Sequence, residues 1–333
     1  MQLSKIASTF SKGRLVTSLF WRNRESISCV IPSRKLWFAV TADGSSGFQA
    51  ERDRYHLYVS LACPWAHRAT FIRAMKGLEN AISLSVVDWL LIKGQGWKFT
   101  DLKPRCTLDP VNNCAYLKEI YHIASAEYHG NITVPLLWDK KQNTIVSNES
   151  SEILRMLNSE FNEYCDTSEH AQINLYPDDL QKDIDELNVW IYRDINNGVY
   201  RAGFAKSQEA YDGAVFKVFD ALDEIEQILS QKRYLTGSRF TEVDVRLFTT
   251  LIRFDMVYYS HFKCSKKRVA DYPNIWGYVR DIYQMPGIAD TVDFEHIRKH
   301  YMESHLSINP TGIVSVQPEL DFMQPHGRET LSP

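Results

Sequence analysis

The chain has 333 residues, of which 44% are hydrophobic and 24% are charged. This length predicts two domains that share an interface, and the composition is that of an ordinary globular protein. The net charge is −3 and the basic and acidic residues are interleaved, which argues against nucleic-acid binding. No apolar run of about 18 residues exists in the sequence, so no membrane span is expected.

The first 24 residues contain five basic side chains and no acidic one, and Ser and Thr are frequent. This composition is typical of a mitochondrial transit peptide, and a solvated terminus explains it equally well. We therefore place residues 1–45 outside the fold and expect a mitochondrial or cytoplasmic protein. The six cysteines lack the spacing of a disulfide framework or a zinc site, which predicts free thiols, a reducing compartment and no metal. They are Cys29, Cys63, Cys106, Cys114, Cys165 and Cys264.

A first domain over residues 50–160 shows alternating strand and helix signals. Strands are predicted at residues 55–60 and 82–87, with a helix at 66–76 between them, which is the size of a βαβ unit. Gly and Pro interrupt residues 89–130, which we interpret as a long functional insertion that contains a helix over 116–125. Two further strands and a helix are predicted at the end of the domain, over residues 132–138, 144–147 and 149–158.

A second domain over residues 175–312 has only helical periodicity. Thr241 and Asp244 have the spacing of a capping box in front of one apolar run. The fold class is therefore α/β plus all-α, in which the α/β domain is followed by a helical bundle. The tail over residues 313–333 is expected to be extended or loosely ordered. Helices are predicted at residues 180–195, 207–229, 241–255 and 275–283.

The residue that most suggests chemistry is Cys63, which lies between a strand end and a helix start. Pro64 suits the first helical position, and a thiol at a helix N-terminus faces free amides and the positive end of the helix dipole. Both effects favour the thiolate and predict a lowered pKa and a nucleophilic cysteine, although most single cysteines are structural. Three residues on, Ala66 stands where a dithiol enzyme has its second cysteine, so an external thiol such as glutathione must resolve a mixed disulfide.

Two dipeptides are expected beside Cys63. Many thioredoxin-like proteins have a cis-proline opposite the active cysteine, and Pro135 fits that position. A cis bond between Val134 and Pro135 would leave the Val134 backbone free to pair with an extended peptide. Glu149 and Ser150 begin a helix whose N-terminus suits an anion, such as a carboxyl group of a γ-glutamyl moiety. Ordinary helix capping explains the same pair when it is considered alone.

Four segments of the sequence resemble the glutathionyl-hydroquinone reductases, the xi class of glutathione transferases with a catalytic cysteine. They are YHLYVSLACPWAHR at 55–68, NNGVYRAGFA at 196–205, RLFTTLIRFD at 246–255 and INPTG at 308–312. The resemblance covers about residues 43–315. It implies a thioredoxin-like domain followed by a glutathione-transferase-type bundle, glutathione as co-substrate, and a homodimer.

The resemblance also implies roles for individual residues. Cys63 would attack the sulfur of an S-glutathionyl-hydroquinone, and Trp97, Val134, Glu149 and Ser150 fall where the family binds glutathione. In the helical domain, Tyr192 and Tyr301 match tyrosines that bracket the quinone ring and assist by acid–base catalysis, worth about 10² to 10⁴ in rate. Weaker candidates are His300 and His67, and for His67 a structural role is favoured.

Two alternatives remain at the level of sequence. The first is a general thiol transferase or dehydroascorbate reductase that uses the same cysteine without the tyrosine pocket. The second is a binding protein that has the fold but no activity, against which the intact Cys63, Pro135, Glu149 and Ser150 argue. Conjugation of glutathione is less favoured, because such enzymes usually activate glutathione with Tyr or Ser.

Overall fold

The structure is a computed structural model that describes residues 38–316 and 318–331. Cys29 lies outside the described residues, and so does the basic segment that precedes Glu25. The predicted class, α/β plus all-α, is confirmed: a thioredoxin-like sheet is followed by a helical domain.

The α/β domain contains a four-stranded sheet in the order β4-β3-β5-β6. Strand β3 pairs parallel with β4 and antiparallel with β5, and β5 pairs antiparallel with β6. Every residue of β3 is buried because the sheet is covered on both faces, which its run of aromatic and β-branched residues suits. The bounds are β1 Val40–Thr41, β2 Phe48–Gln49, β3 Tyr55–Val59, α1 Pro64–Met75, β4 Ser83–Val86, α2 Leu117–Ala124, β5 Leu136–Asp139, β6 Thr144–Ser147 and α3 Ser150–Ser159.

The predicted insertion between β4 and β5 is held by a buried carboxylate. Asp109 accepts hydrogen bonds from the Tyr58 hydroxyl at 2.9 Å and from the backbone N–H groups of Val111 and Cys114. A carboxylate that accepts several local N–H bonds orders an irregular segment without a strand or long helix. Asp109 therefore fixes residues 109–114 against β3, and Trp97 of the same insertion is buried.

The helical domain begins after a short helix that links it to the sheet. Helix α5 continues through a π-helical turn, Ile191–Asn196, into α6, so the predicted single helix over 180–195 contains a wide turn. The capping box of Thr241 and Asp244 is confirmed at the start of α8. The bounds are α4 Ser168–Gln172, α5 Gln181–Trp190, α6 Gly198–Gly203, α7 Gln208–Leu229, α8 Glu242–Arg253, α9 Pro273–Tyr283 and α10 Phe294–Ser304.

Helix α10 is the main element that sequence periodicity missed. Its buried face combines His296 and His300 with the apolar or aromatic residues Ile297, Tyr301 and Met302. The Asp293 side chain caps this helix by accepting from the N–H of His296 at 2.8 Å. The hydrophobic periodicity of this helix is weak because histidines, which count as polar, occupy part of its buried face.

The structure differs from the sequence predictions at both ends of the folded region. Residues 38–45 were expected to lie outside it, yet Val40 is buried, β1 pairs with β2, and the N–H of Phe38 donates to the Val146 carbonyl at 2.8 Å. The tail has no helix or strand among its described residues, but it is not loosely attached. The Phe322 ring stacks on Phe294 with centroids 5.1 Å apart.

Among the described residues, no helix is long and apolar enough to cross a membrane, and no three His, Cys, Asp or Glu side chains are grouped to hold a metal ion.

Candidate active site

The loop after β3 and the loop before β5 bring Cys63 and the Val134–Pro135 peptide together. Cys63 is the N-cap of α1, Pro64 follows at the first helical position, and the thiol donates to the Val134 carbonyl over 3.7 Å. The Val134–Pro135 peptide bond is cis, as the sequence predicted. Taken as a whole residue, Cys63 is partly exposed.

The electrostatic prediction for Cys63 is wrong in its net direction. Burial raises the pKa of the Cys63 thiol above its ordinary value, because loss of hydration outweighs every stabilising interaction. The expected stabilising interactions are present, since the backbone N–H groups of Ala66 and Trp65 lower this pKa. The guanidinium groups of Arg253 and Arg68 lower it as well. The sequence revealed the helix terminus but not how strongly the surrounding folded chain removes water from the thiol.

Two of the residues expected to bind glutathione lie at the start of α3, and Arg68 of α1 contacts one of them. Glu149 is the N-cap of α3 and accepts from the N–H of Ser151 at 3.2 Å, so the capping role is real. Ser150, the first residue of α3, accepts from Arg68 at 3.2 Å. Trp97 is buried, and its ring stacks on His300 with centroids 5.2 Å apart.

Arg68 joins the α3 terminus to the helical domain. Its guanidinium donates to Ser150 and to the side-chain oxygen of Asn196, both at 3.2 Å, and lies 4.5 Å from the ring centroid of Trp65. Burial lowers the pKa of Arg68 to about 9. Arg68 thus links the start of α3, where glutathione is predicted to bind, to the π-helical turn that precedes α6.

Tyr301 lies in a cluster of phenols that does not include the predicted Tyr192. The hydroxyl of Tyr301 is 2.5 Å from that of Tyr200 and 3.0 Å from that of Tyr258. The Tyr192 side chain is instead 41% exposed and contacts the Trp65 ring, with centroids 5.8 Å apart. Trp65 also lies over Tyr200, at a centroid distance of 6.4 Å.

Sequence reasoning missed Tyr200, although a signal was present. Tyr200 lies inside the NNGVYRAGFA segment that carries the family resemblance, whereas Tyr192 lies outside it. Burial raises the pKa values of Tyr200, Tyr258 and Tyr301, so all three phenols are protonated at neutral pH.

His67 has the structural role that the sequence favoured. Its Nδ1 accepts from Arg253 at 3.0 Å, so its Nε2 carries the proton and donates to the Thr291 hydroxyl at 2.8 Å. Burial lowers the pKa of His67 far below its ordinary value. A neutral imidazole with both nitrogens occupied cannot act as a base toward Cys63.

His300 is also held by hydrogen bonding. Its Nδ1 lies 2.7 Å from the Trp89 carbonyl, so this nitrogen carries the proton. Burial lowers the pKa of His300 to about 3. The neutral ring supports Trp97 by stacking.

Comparison with known proteins identifies the family to which the chain is similar. Family models for the N-terminal and C-terminal domains of glutathione S-transferases match residues 62–160 and 208–281. Glutathionyl-hydroquinone reductase YqjG of Escherichia coli is 58% identical over 87% of this chain and 89% of its own. Glutathione S-transferase omega-like 2 of Schizosaccharomyces pombe is 48% identical over 81% and 87%.

Solved structures show the same relationship. The glutathione-bound structure of E. coli YqjG superposes with a TM-score of 0.85 at 55% identity, covering 89% of this chain and 96% of that one. The xi-class enzyme of Natrialba magadii superposes with a TM-score of 0.86 at 48% identity, covering 89% of each chain.

The fold and the sequence matches together define a glutathione S-transferase. Within that family, the chain belongs to the xi class, the glutathionyl-hydroquinone reductases, and is an enzyme of this class.

Proposed function

We propose that the protein removes glutathione from S-glutathionyl-hydroquinones by means of the Cys63 thiolate. The observation that carries the proposal is the position of Cys63 at the N-cap of α1, 3.7 Å from the Val134 carbonyl, with no second cysteine at Ala66. Two relatives support the substrate class, since E. coli YqjG and PcpF of Sphingobium chlorophenolicum are both named glutathionyl-hydroquinone reductases.

The reaction proceeds in two sulfur exchanges. The Cys63 thiolate attacks the glutathionyl sulfur, the bond between that sulfur and the ring carbon breaks, and the carbon takes the electron pair and a proton. Hydroquinone leaves and a Cys63–glutathione disulfide remains. A second glutathione thiolate attacks the glutathione sulfur of this disulfide, which yields oxidised glutathione and restores the Cys63 thiolate. One glutathione is consumed for each hydroquinone released.

Glutathione binds in an extended form beside the cis peptide. The backbone of Val134, positioned by Pro135, pairs with the cysteinyl part of glutathione as an added strand would. Ser150 and Glu149, at the N-terminus of α3, bind the charged groups of the γ-glutamyl part. Trp97, which is buried, is assigned to this site from the family resemblance alone.

The aromatic ring of the substrate binds among the phenols of the helical domain. Tyr301 is the predicted acid, and its hydrogen-bonded neighbour Tyr200 is a better placed partner than Tyr192. Because burial holds these phenols protonated, a hydroxyl here donates to the ring oxygen and favours the keto tautomer, in which the carbon–sulfur bond is weaker.

A general glutathione-dependent thiol transferase or dehydroascorbate reductase is the second candidate. Cys63 alone suffices for that chemistry, and several relatives carry the name omega-like. The two activities differ in their need for the phenol cluster, because a disulfide substrate presents no ring oxygen to Tyr200 or Tyr301.

We further propose that the enzyme forms a homodimer and resides in mitochondria or the cytoplasm. The dimer follows from the family, and the compartment from the basic, acid-free segment before Glu25.

The decisive experiment follows hydroquinone release from a purified glutathionyl-hydroquinone in the presence of glutathione. Wild-type protein is expected to release hydroquinone and Cys63→Ala to lose nearly all activity. Release that survives in Cys63→Ala would disprove the thiolate mechanism. If the wild-type protein reduces disulfides but releases no hydroquinone, the thiol transferase is the correct function.

A further inference from the structure

Arg253, the last residue of α8, reaches from the helical domain to the loop that carries Cys63. Its guanidinium donates to the carbonyls of Leu61 and Ala62 at 3.0 and 2.8 Å. Further hydrogen bonds at 2.7 and 3.0 Å go to the Thr249 carbonyl and to Nδ1 of His67. The side chain is fully buried. Leu61 and Ala62 directly precede the nucleophile, so this one side chain holds the backbone from which Cys63 projects.

Each of these acceptors is electrically neutral. Carbonyl oxygens satisfy the donors of a guanidinium but do not balance its charge, and a buried charge without an opposite charge is costly. Within residues 38–316 and 318–331, no carboxylate forms an ion pair with Arg253. Arg155, at the same interface between the domains, is by contrast paired with both Glu242 and Asp185.

We propose that Arg253 is a positioning residue for the nucleophile, and that the Cys63 thiolate is the counter-charge of its guanidinium. The inference rests on the proposed function in that it takes Cys63 as the nucleophile. It adds that the reactive thiolate of the α/β domain is stabilised by a charge from the helical domain.

None of the other groups that face Cys63 supplies a free positive charge to the thiolate, as Arg253 does. Arg68 on α1 is the second cation, but it is directed toward Ser150 and Asn196 by hydrogen bonds. Tyr200 on α6 and Tyr258 after α8 interact electrostatically with Cys63, and both are held protonated by burial. His67 is neutral and accepts from Arg253 itself. The charge of Arg253 favours the ionised forms of both Cys63 and Tyr301, although burial raises the pKa of each overall.

The test measures the pKa of the Cys63 thiol from the pH dependence of its alkylation by iodoacetamide, with mass spectrometry assigning the product to the Cys63 peptide. Arg253→Gln removes the charge. Arg253→Lys keeps the charge but loses the forked hydrogen bonds to two carbonyls. Arg155→Gln is the matched control, since it removes a charged contact between the same domains without touching the Cys63 loop. Circular dichroism and thermal unfolding check that each variant folds.

We expect alkylation of Arg253→Gln at neutral pH to be slower than wild type by about fivefold or more, with the thiol pKa raised accordingly. Arg155→Gln and Arg253→Lys are expected to stay within about fivefold of wild type. A smaller change in Arg253→Gln, or an equal one in Arg155→Gln, overturns the inference. If Arg253→Gln does not fold, the lysine variant decides, because a fall of about fivefold or more there shows that retained charge does not stabilise the thiolate.

The parallel assay of hydroquinone release separates this inference from the proposed function. Wild-type protein that releases hydroquinone, but whose Cys63 pKa is indifferent to Arg253, refutes the role of Arg253 alone. Protein that releases none, but whose Cys63 pKa depends on Arg253, refutes the proposed function alone.

Discussion

The hydroxyl oxygens of Tyr200 and Tyr301 lie 2.5 Å apart, although the two residues are separated by 101 positions in the chain. Tyr258 adds a third hydroxyl, 3.0 Å from that of Tyr301. Phenols joined by a row of hydrogen bonds polarise one another. When one phenol donates its proton, the hydrogen bond from its neighbour stabilises the charge that is left. Because of this relationship, Tyr200 and not Tyr192 is the residue to test together with Tyr301 for a role in hydroquinone release.

Replacing either phenol of this pair should impair hydroquinone release selectively. We expect Tyr200→Phe and Tyr301→Phe to reduce kcat for a glutathionyl-hydroquinone by about 10² or more, because each loses a donor to the ring oxygen. Tyr192→Phe, on the exposed side of Trp65, should change it by less than about threefold. Reduction of a small disulfide by the same three variants is the control and should be nearly unchanged. If Tyr192→Phe lost as much kcat as Tyr200→Phe, the pair predicted from the sequence, Tyr192 and Tyr301, would be supported instead.

Ser150 should contribute to glutathione binding and not to the chemical step. We expect Ser150→Ala to raise KM for glutathione by about tenfold with little change in kcat, because the α3 terminus loses a hydroxyl that a carboxylate needs. Ser159→Ala, at the exposed end of the same helix, is the matched control. Steady-state kinetics with varied glutathione measure both constants. An unchanged KM in Ser150→Ala would mean that this residue only accepts from Arg68.

Three clustered histidines should make the fold sensitive to mild acid. Burial lowers the pKa values of His261 and His305 to about 4 and that of His300 to about 3. The unfolded chain, with histidine pKa values near 6.5, binds more protons than the folded chain between about pH 6.5 and pH 4, so stability falls as the pH falls through this window. We expect the Tm to drop by roughly 5 °C or more between about pH 7 and pH 5.

Two variants check the origin of that acid sensitivity. His305→Gln, which removes the partner 3.3 Å from His261, should reduce the drop in Tm. His122→Gln, at an exposed position of α2, should leave it as in wild type. Equal drops in all three proteins would show that other groups dominate the acid response.

The C-terminal tail should contribute measurably to stability. Arg328 is buried and donates to the backbone carbonyls of Leu229, Arg233 and Asn274. Arg328→Ala leaves these carbonyls without their donor, and we expect a loss of about 2 to 4 kcal/mol in the free energy of unfolding. Urea titration of this variant beside Met323→Ala, an exposed position of the same tail, measures the difference. Equal stability of the two variants would show that the tail only lies on the surface.

The sequence by itself determined most of what depends on neighbouring residues. The strand, cysteine and proline over residues 55–64 predicted the loop that presents Cys63, because the end of a strand followed by an N1 proline is a local signal. The Thr241 and Asp244 capping box was predicted for the same reason. The long α7 has an apolar stripe that is visible without any knowledge of its partners.

Only the tertiary structure decided what depends on the second domain. The pKa of Cys63 is the balance between desolvation by atoms from distant segments and the charges of Arg68 and Arg253, and no local pattern contains that sum. Helix α10 was missed because His296 and His300, which a sequence pattern counts as polar, share its buried face with Ile297 and Met302. The partner of Tyr301 was likewise decided by packing, since a hydrogen bond of 2.5 Å between residues 101 positions apart follows from how the helices dock.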